Sequence, residues 1–221
     1  MRPSSADQYR DSLLAITSDP VVRTTAPAAI AIDRARVDLV NGQFEQARLA
    51  LEPQVASLVA AIASAGEKSA LPEVLFQGQS RLAAALNQTG DYVGAAKAAQ
   101  SALDFLQKER TTALSDQRAV STARTALAMA LARQGKADEA NTVLKPALAF
   151  FKLPAVQQSD DETLKADHAH ALLAAALANP AEKKALLAEA LRRIDSLPTT
   201  LKPWKSNARL RGDIVREQQK K

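Results

Sequence analysis

The chain of 221 residues contains no cysteine, only 7 glycines and only 4% aromatic residues. Without thiols it can build neither a disulfide framework nor a cysteine-based zinc or redox site, and either a reducing cytosol or a bacterial periplasm would suit it. Alanine and leucine dominate in place of aromatic residues, a bias that favours helix over strand and predicts almost no β-structure. No run approaches the roughly 18 apolar residues a membrane helix requires, and MRPSSADQYRDS lacks the apolar core of a signal peptide. The chain is therefore expected to be soluble. Its polar start runs directly into the amphipathic SADQYRDSLLAI, as a region cut from a longer polypeptide would.

Histidine is also scarce. His168 and His170 are the only two, and two apart on a helix they point to different sides, without the four-residue spacing by which helical histidines share a metal. The acidic cluster before them reads as a helix start, with Ser159 and Glu162 as a capping box and Asp160 and Asp161 favoured by the helix dipole. No G-x-S-x-G, phosphate-binding loop or dinucleotide fingerprint occurs. These absences argue against an enzyme, and no cofactor or metal is expected.

The net charge of +5 has one source. Residues 201–221 hold seven basic side chains against Asp213 and Glu217, while the first 200 residues balance at 22 basic and 22 acidic. That distribution argues against a stripe that neutralises many phosphates, so contact with nucleic acid or an anionic membrane through the basic terminus ranks last.

A repeat emerges once three segments are aligned on a glycine: RARVDLVNGQFEQARLAL, RLAAALNQTGDYVGAAKAA and LAMALARQGKADEANTVL, turning at Gly42, Gly90 and Gly135. A fourth, HALLAAALANPAEKKALLAEAL, fits if Asn179-Pro180 replaces the glycine, with Pro180 in the first turn of the next helix. Successive anchors lie 48, 45 and 45 residues apart. Five residues after each anchor stands Ala47, Ala95, Ala140 or Ala185; seven before stand Ala35, Ala83, Ala128 and, as the exception, Leu173. Small residues at both points let antiparallel helices approach closely, so each unit is expected to be a helical hairpin. Pro53 and Pro146, eleven residues beyond their glycines, are expected to kink or restart the second helix of units one and three. EVLFQG, residues 73–78, nearly matches a picornaviral 3C protease site, yet Leu75, Gln79, Leu82, Ala83 and Leu86 keep helical spacing through it. It is expected to be native helix.

GDYVGAAKAAQSAL, with GQFEQA and GKADEA, resembles the tetratricopeptide repeat, over about residues 28–197 and with a longer spacing than the usual ~34 residues. The resemblance implies an all-α fold, a right-handed α-α superhelix of about four hairpins with flanking capping helices in residues 1–27 and 198–221. It also implies a non-catalytic scaffold that binds a protein or peptide in a concave groove, as one region of a larger bacterial signalling or assembly protein. A self-assembly role through the N-terminal helix is the alternative. Carried over from the family, the groove-facing places are Arg36 in unit one, Gln77, Ser80, Asn87 and Gln88 in unit two, Thr122, Thr125, Met129 and Arg133 in unit three, and Asp167 and His170 in unit four. The Lys/Asn/Arg set with which some family members clamp a C-terminal carboxylate is missing. Asn87 and Arg133 are expected to be surface groups whose loss leaves stability nearly unchanged.

Overall fold

A computed structural model describes residues 20–65, 71–108, 114–159, 161–198, 200 and 205–220; the SADQYRDSLLAI segment, Asp160 and Trp204 lie outside the described residues. The helices are α1 (Pro20–Val40), α2 (Phe44–Ala65), α3 (Leu71–Thr89), α4 (Tyr92–Lys108), α5 (Leu114–Arg133), α6 (Ala137–Phe151), the single turn α7 (Pro154–Gln157), α8 (Thr163–Ala178), α9 (Lys183–Asp195) and α10 (Lys205–Gln219). No strand occurs among the described residues, and no helix there is long and apolar enough to cross a membrane.

The helices pack in sequence as antiparallel pairs, α1 with α2, α3 with α4, α5 with α6 and α8 with α9. Each pair meets the next through its second helix, and the leading helices α1, α3, α5 and α8 also touch one another in order. The first three turns use Gly42, Gly90 and Gly135 at φ of 72°, 91° and 78°, a left-handed conformation that is costly for residues carrying a Cβ. The fourth turn differs. Asn179 stays at φ −129°, the chain reverses through 180–182, and α9 begins at Lys183, so Pro180 precedes the helix instead of opening it.

That longer turn shifts the register. Ala35, Ala83, Ala128 and Leu173 are all buried, as are Ala47, Ala95 and Ala140. Ala185, however, is exposed, and Leu187, two residues on, takes the inner place. Around the alanines, Leu51, Leu82, Leu86, Leu127, Leu131 and Leu144 fill one continuous core. The prolines restart nothing: α2 runs through Pro53 and α6 through Pro146 without interruption.

EVLFQG lies inside α3, with Phe76 and Gly78 buried. A Cβ on Gly78 would come within 3.2 Å of Val55 Cγ2 and 3.5 Å of Ile32 Cδ1, so the missing side chain is what lets α3 settle against both α1 and α2. A protease needs an extended segment, which this packed helix denies. Incubated with picornaviral 3C protease, the native protein should stay intact on a gel; rapid cutting after Gln77 would overturn the packed-helix assignment.

Candidate binding cleft

A cleft of about 510 Å³ runs along the leading helices. From α1 come Arg36, Leu39 and Val40, from α2 Phe44, from α3 Arg81, Ala84, Asn87 and Gln88, and from α5 Thr122, Thr125, Ala126 and Met129. Asp167 and His170 of α8 close one end, and Ser206 and Arg209 of α10 form a side wall. The lining is thus mainly apolar with a few polar and charged side chains among it, the usual composition of a ligand site.

Helix α10 forms that wall by folding back over the array. Its inner stripe is Asn207, Leu210, Ile214 and Glu217, spaced three, four and three residues apart, so the apolar centre has a polar residue at each end. Leu210 and Ile214 join Leu172, Leu187, Ile194 and Leu197 in a second core cluster. At its start, Lys205 Cβ lies 3.6 Å from where Gly42 would carry a Cβ. One turn on, Arg209 lies over the Phe44 ring at 4.6 Å and donates from Nε to Gln88 Oε1 at 2.8 Å. At its end, Glu217 is buried and accepts from Arg133 at 3.0 Å, Lys183 at 3.2 Å and Lys220 at 2.6 Å. Burial alone would raise the Glu217 carboxyl, but Lys220, Lys183 and Arg133 together hold it below the usual carboxylate value. Two further cations of this helix are paired: Arg211 with Asp195 at 2.7 Å, and Arg216 with Asp213.

The α8 end is organised by Arg118 of α5. Its guanidinium reaches Asp167 at 2.6 Å, Asp161 at 2.6 Å and Thr163 Oγ1 at 2.7 Å. The expected capping box does not form. Asp161 takes the Thr163 N–H at 3.0 Å, Ser159 accepts from the Asp161 N–H at 3.1 Å, and Glu162 pairs with Lys165. Burial pushes the Asp167 carboxyl up against the pull of Arg118, and burial lowers His170 against the charge of Asp167. His168 faces the other way, buried and stacked on Phe151 with ring centres 5.0 Å apart. Desolvation holds it down to about 4.

Of the sequence candidates, Arg36, Asn87, Gln88, Thr122, Thr125, Met129, Asp167 and His170 line this cleft. Arg133 lines a smaller cavity of about 290 Å³ beside α10, while Gln77 and Ser80 line neither. Gln77 is exposed and bonded to Glu73, and Ser80 carries a buried, unpartnered hydroxyl. Several candidates are also structural. Asn87 Nδ2 donates to Ala126 O at 2.9 Å and so ties α3 to α5. Thr122 and Thr125 donate to Arg118 O and Ser121 O of their own helix. Arg81, Arg118 and Arg209 had no place among the candidates. The first two were within reach of helical spacing, since Arg81, Ala84 and Gln88 share one face, as do Arg118, Thr122, Thr125 and Met129. Among the described residues, no group of three or more His, Asp or Glu side chains could hold a metal ion.

No family model, curated protein or solved structure matches the chain.

Two measurements test these contacts. Because the folded value of His168 lies below its ordinary 6.5, the unfolded chain binds the proton first as pH falls. Its stabilising contribution is complete above about pH 6.5 and is lost toward about pH 4, while carboxylates with lowered values add to the loss only below about pH 4.5. Thermal melts should show the midpoint falling through this window, with a shallower slope for His168→Phe; an unchanged slope would remove His168 as a contributor. Asn87→Ala combined with Arg133→Ala should cost about 1–3 kcal/mol in urea unfolding, because both side chains hold helices together. A loss under about 0.5 kcal/mol would return both to the surface class.

Proposed function

We propose that the chain is a non-catalytic protein-interaction scaffold, a tetratricopeptide-like superhelix whose leading helices hold a peptide segment of a partner. The observation that carries this reading is that one cleft draws side chains from all four leading helices, so successive hairpins build a single continuous surface. Curvature toward that face is supported by the contacts, because the leading helices touch in order while each second helix meets mainly its own partner and the next leading helix. A mainly apolar lining interspersed with hydrogen-bonding groups suits a short chain whose apolar side chains are buried and whose backbone finds polar partners. Helix α10 narrows the opening and favours a segment over a whole folded surface.

Display selection of random dodecapeptides on the full chain tests the reading. Thr122 is exposed and lines the cleft, so Thr122→Trp should block it without disturbing the core, whereas Val93, 71% exposed on α4, is a control outside it. Selected peptides should lose at least about tenfold in affinity on Thr122→Trp, equivalent to about 1.4 kcal/mol, and none on Val93→Trp. Equal binding to both variants would end the proposal.

A further inference from the structure

We infer that the segment this cleft receives is acidic, with an Asp or Glu side chain seated between Arg36 and Arg81 and apolar side chains against Leu39 and Met129. The inference rests on the cleft reading above and names its partner. Its basis is an imbalance of charge inside the cleft. Among the described residues, three guanidiniums, Arg36, Arg81 and Arg209, face it, against the single lining carboxylate Asp167, which Arg118 already holds at 2.6 Å.

Arg81 is the informative member. It is half-buried in α3, and its one direct hydrogen bond among the described residues is a long 3.4 Å contact to Gln77 O. The nearby Asp33 does not answer it well: that carboxylate is 75% exposed and lies 3.8 Å from Arg36. Burial therefore acts on a guanidinium with no bidentate acceptor, and with the second cation Arg36 beside it, and it lowers the Arg81 pKa accordingly. A carboxylate entering here would supply the fork-to-fork pairing that guanidinium geometry favours.

The opposite wall has the complementary polarity. Thr122 and Thr125 give their hydroxyl protons to their own helix, so they offer methyl groups and lone pairs to an occupant. Asn87 spends its Nδ2 on Ala126 O and its Oδ1 is buried, so it holds the wall in place and offers no acceptor to an occupant. Donors for an anion thus come from the α1 and α3 side, and acceptors for a backbone from the threonines of α5. A nucleic acid fits less well. It would need a track of available cations, but Arg211, Arg216 and Lys220 are paired with Asp195, Asp213 and Glu217, and the cleft lining is mainly apolar.

The same display experiment decides it, because dodecapeptides fused at their C-termini carry no free terminal carboxylate. Binders lost on Thr122→Trp should be enriched in Asp and Glu. As amidated synthetic peptides they should weaken about tenfold when Glu is replaced by Gln, the usual loss for a charge-assisted hydrogen bond, with a similar loss on Arg81→Gln or Arg36→Gln and partial retention on Arg81→Lys. The Glu-to-Gln comparison uses the unmodified protein, so it stands even if an arginine variant folds poorly. Binders blocked by Thr122→Trp but without acidic preference would overturn this inference and leave the cleft reading intact. Binders indifferent to Thr122→Trp would overturn both. Displacement of the peptide by a thymidine oligonucleotide with Arg81-dependent affinity would replace the acidic peptide by a nucleic acid.

Discussion

Close approach of paired helices is the constraint on which the rest of this molecule depends. Ala35 and Ala47, Ala83 and Ala95, and Ala128 and Ala140 are all fully buried on either side of their turns, where any larger side chain would push the two helices apart. Alanine buries little area itself, so the apolar contribution comes from the leucines a turn away, at roughly 1.5–3 kcal/mol for each fully buried side chain. The turns must be equally compact, which is why three of them place glycine in the left-handed region. Where the glycine is absent, at Asn179-Pro180, the reversal takes more residues, and Leu187 replaces alanine at the inner position. Gly78 extends the same logic between hairpins, since its missing Cβ makes room for Val55 and Ile32.

Helix α10 obeys a different physics. Only Leu210 and Ile214 give it a deeply buried apolar face, too little to position fifteen residues by burial alone. Its ends are located by polar pairing, Arg209 with Phe44 and Gln88 at one end and Glu217 with Arg133, Lys183 and Lys220 at the other. A buried carboxylate among three cations adds modest net stability, because desolvation offsets much of the attraction, but misplacing it leaves charges unpaired. Such contacts select a position more than they strengthen it. The consequence for function is the side wall that turns an open face into a bounded cleft.

Inside the cleft, several lining side chains also hold helices together. Asn87 lines the cleft and ties α3 to α5 through its amide nitrogen, and Asp167 anchors Arg118 while facing the same space as His170. Arg81 stands apart because it has no comparable structural partner, its hydrogen bond to Gln77 O being long. Half-buried charge without a good acceptor is a cost that a folded chain tolerates where something else supplies the acceptor.

The hairpins were legible in the sequence because their causes are local: leucine and alanine at helical spacing, glycine where φ must be positive, and small residues at equal distances from each turn. The family resemblance placed Thr122, Thr125 and Met129 in the groove, and they line the cleft from one face of α5. It placed Gln77 and Ser80 there too, but these share the face of Arg81, Ala84 and Asn87 about a turn nearer the start of α3, where the cleft no longer reaches, and only packing decides how far along a helix a cleft extends. It left out Arg81 and Arg118, since a long cation on a helix face has many partners of similar energy until the fold selects one. The path of α10 was beyond any local reading. A stripe of Asn207, Leu210, Ile214 and Glu217 predicts a helix with one inner face, but Arg133, Lys183 and Gln88 are brought beneath it from 34 to 121 residues away, and only the closed tertiary structure assembles them.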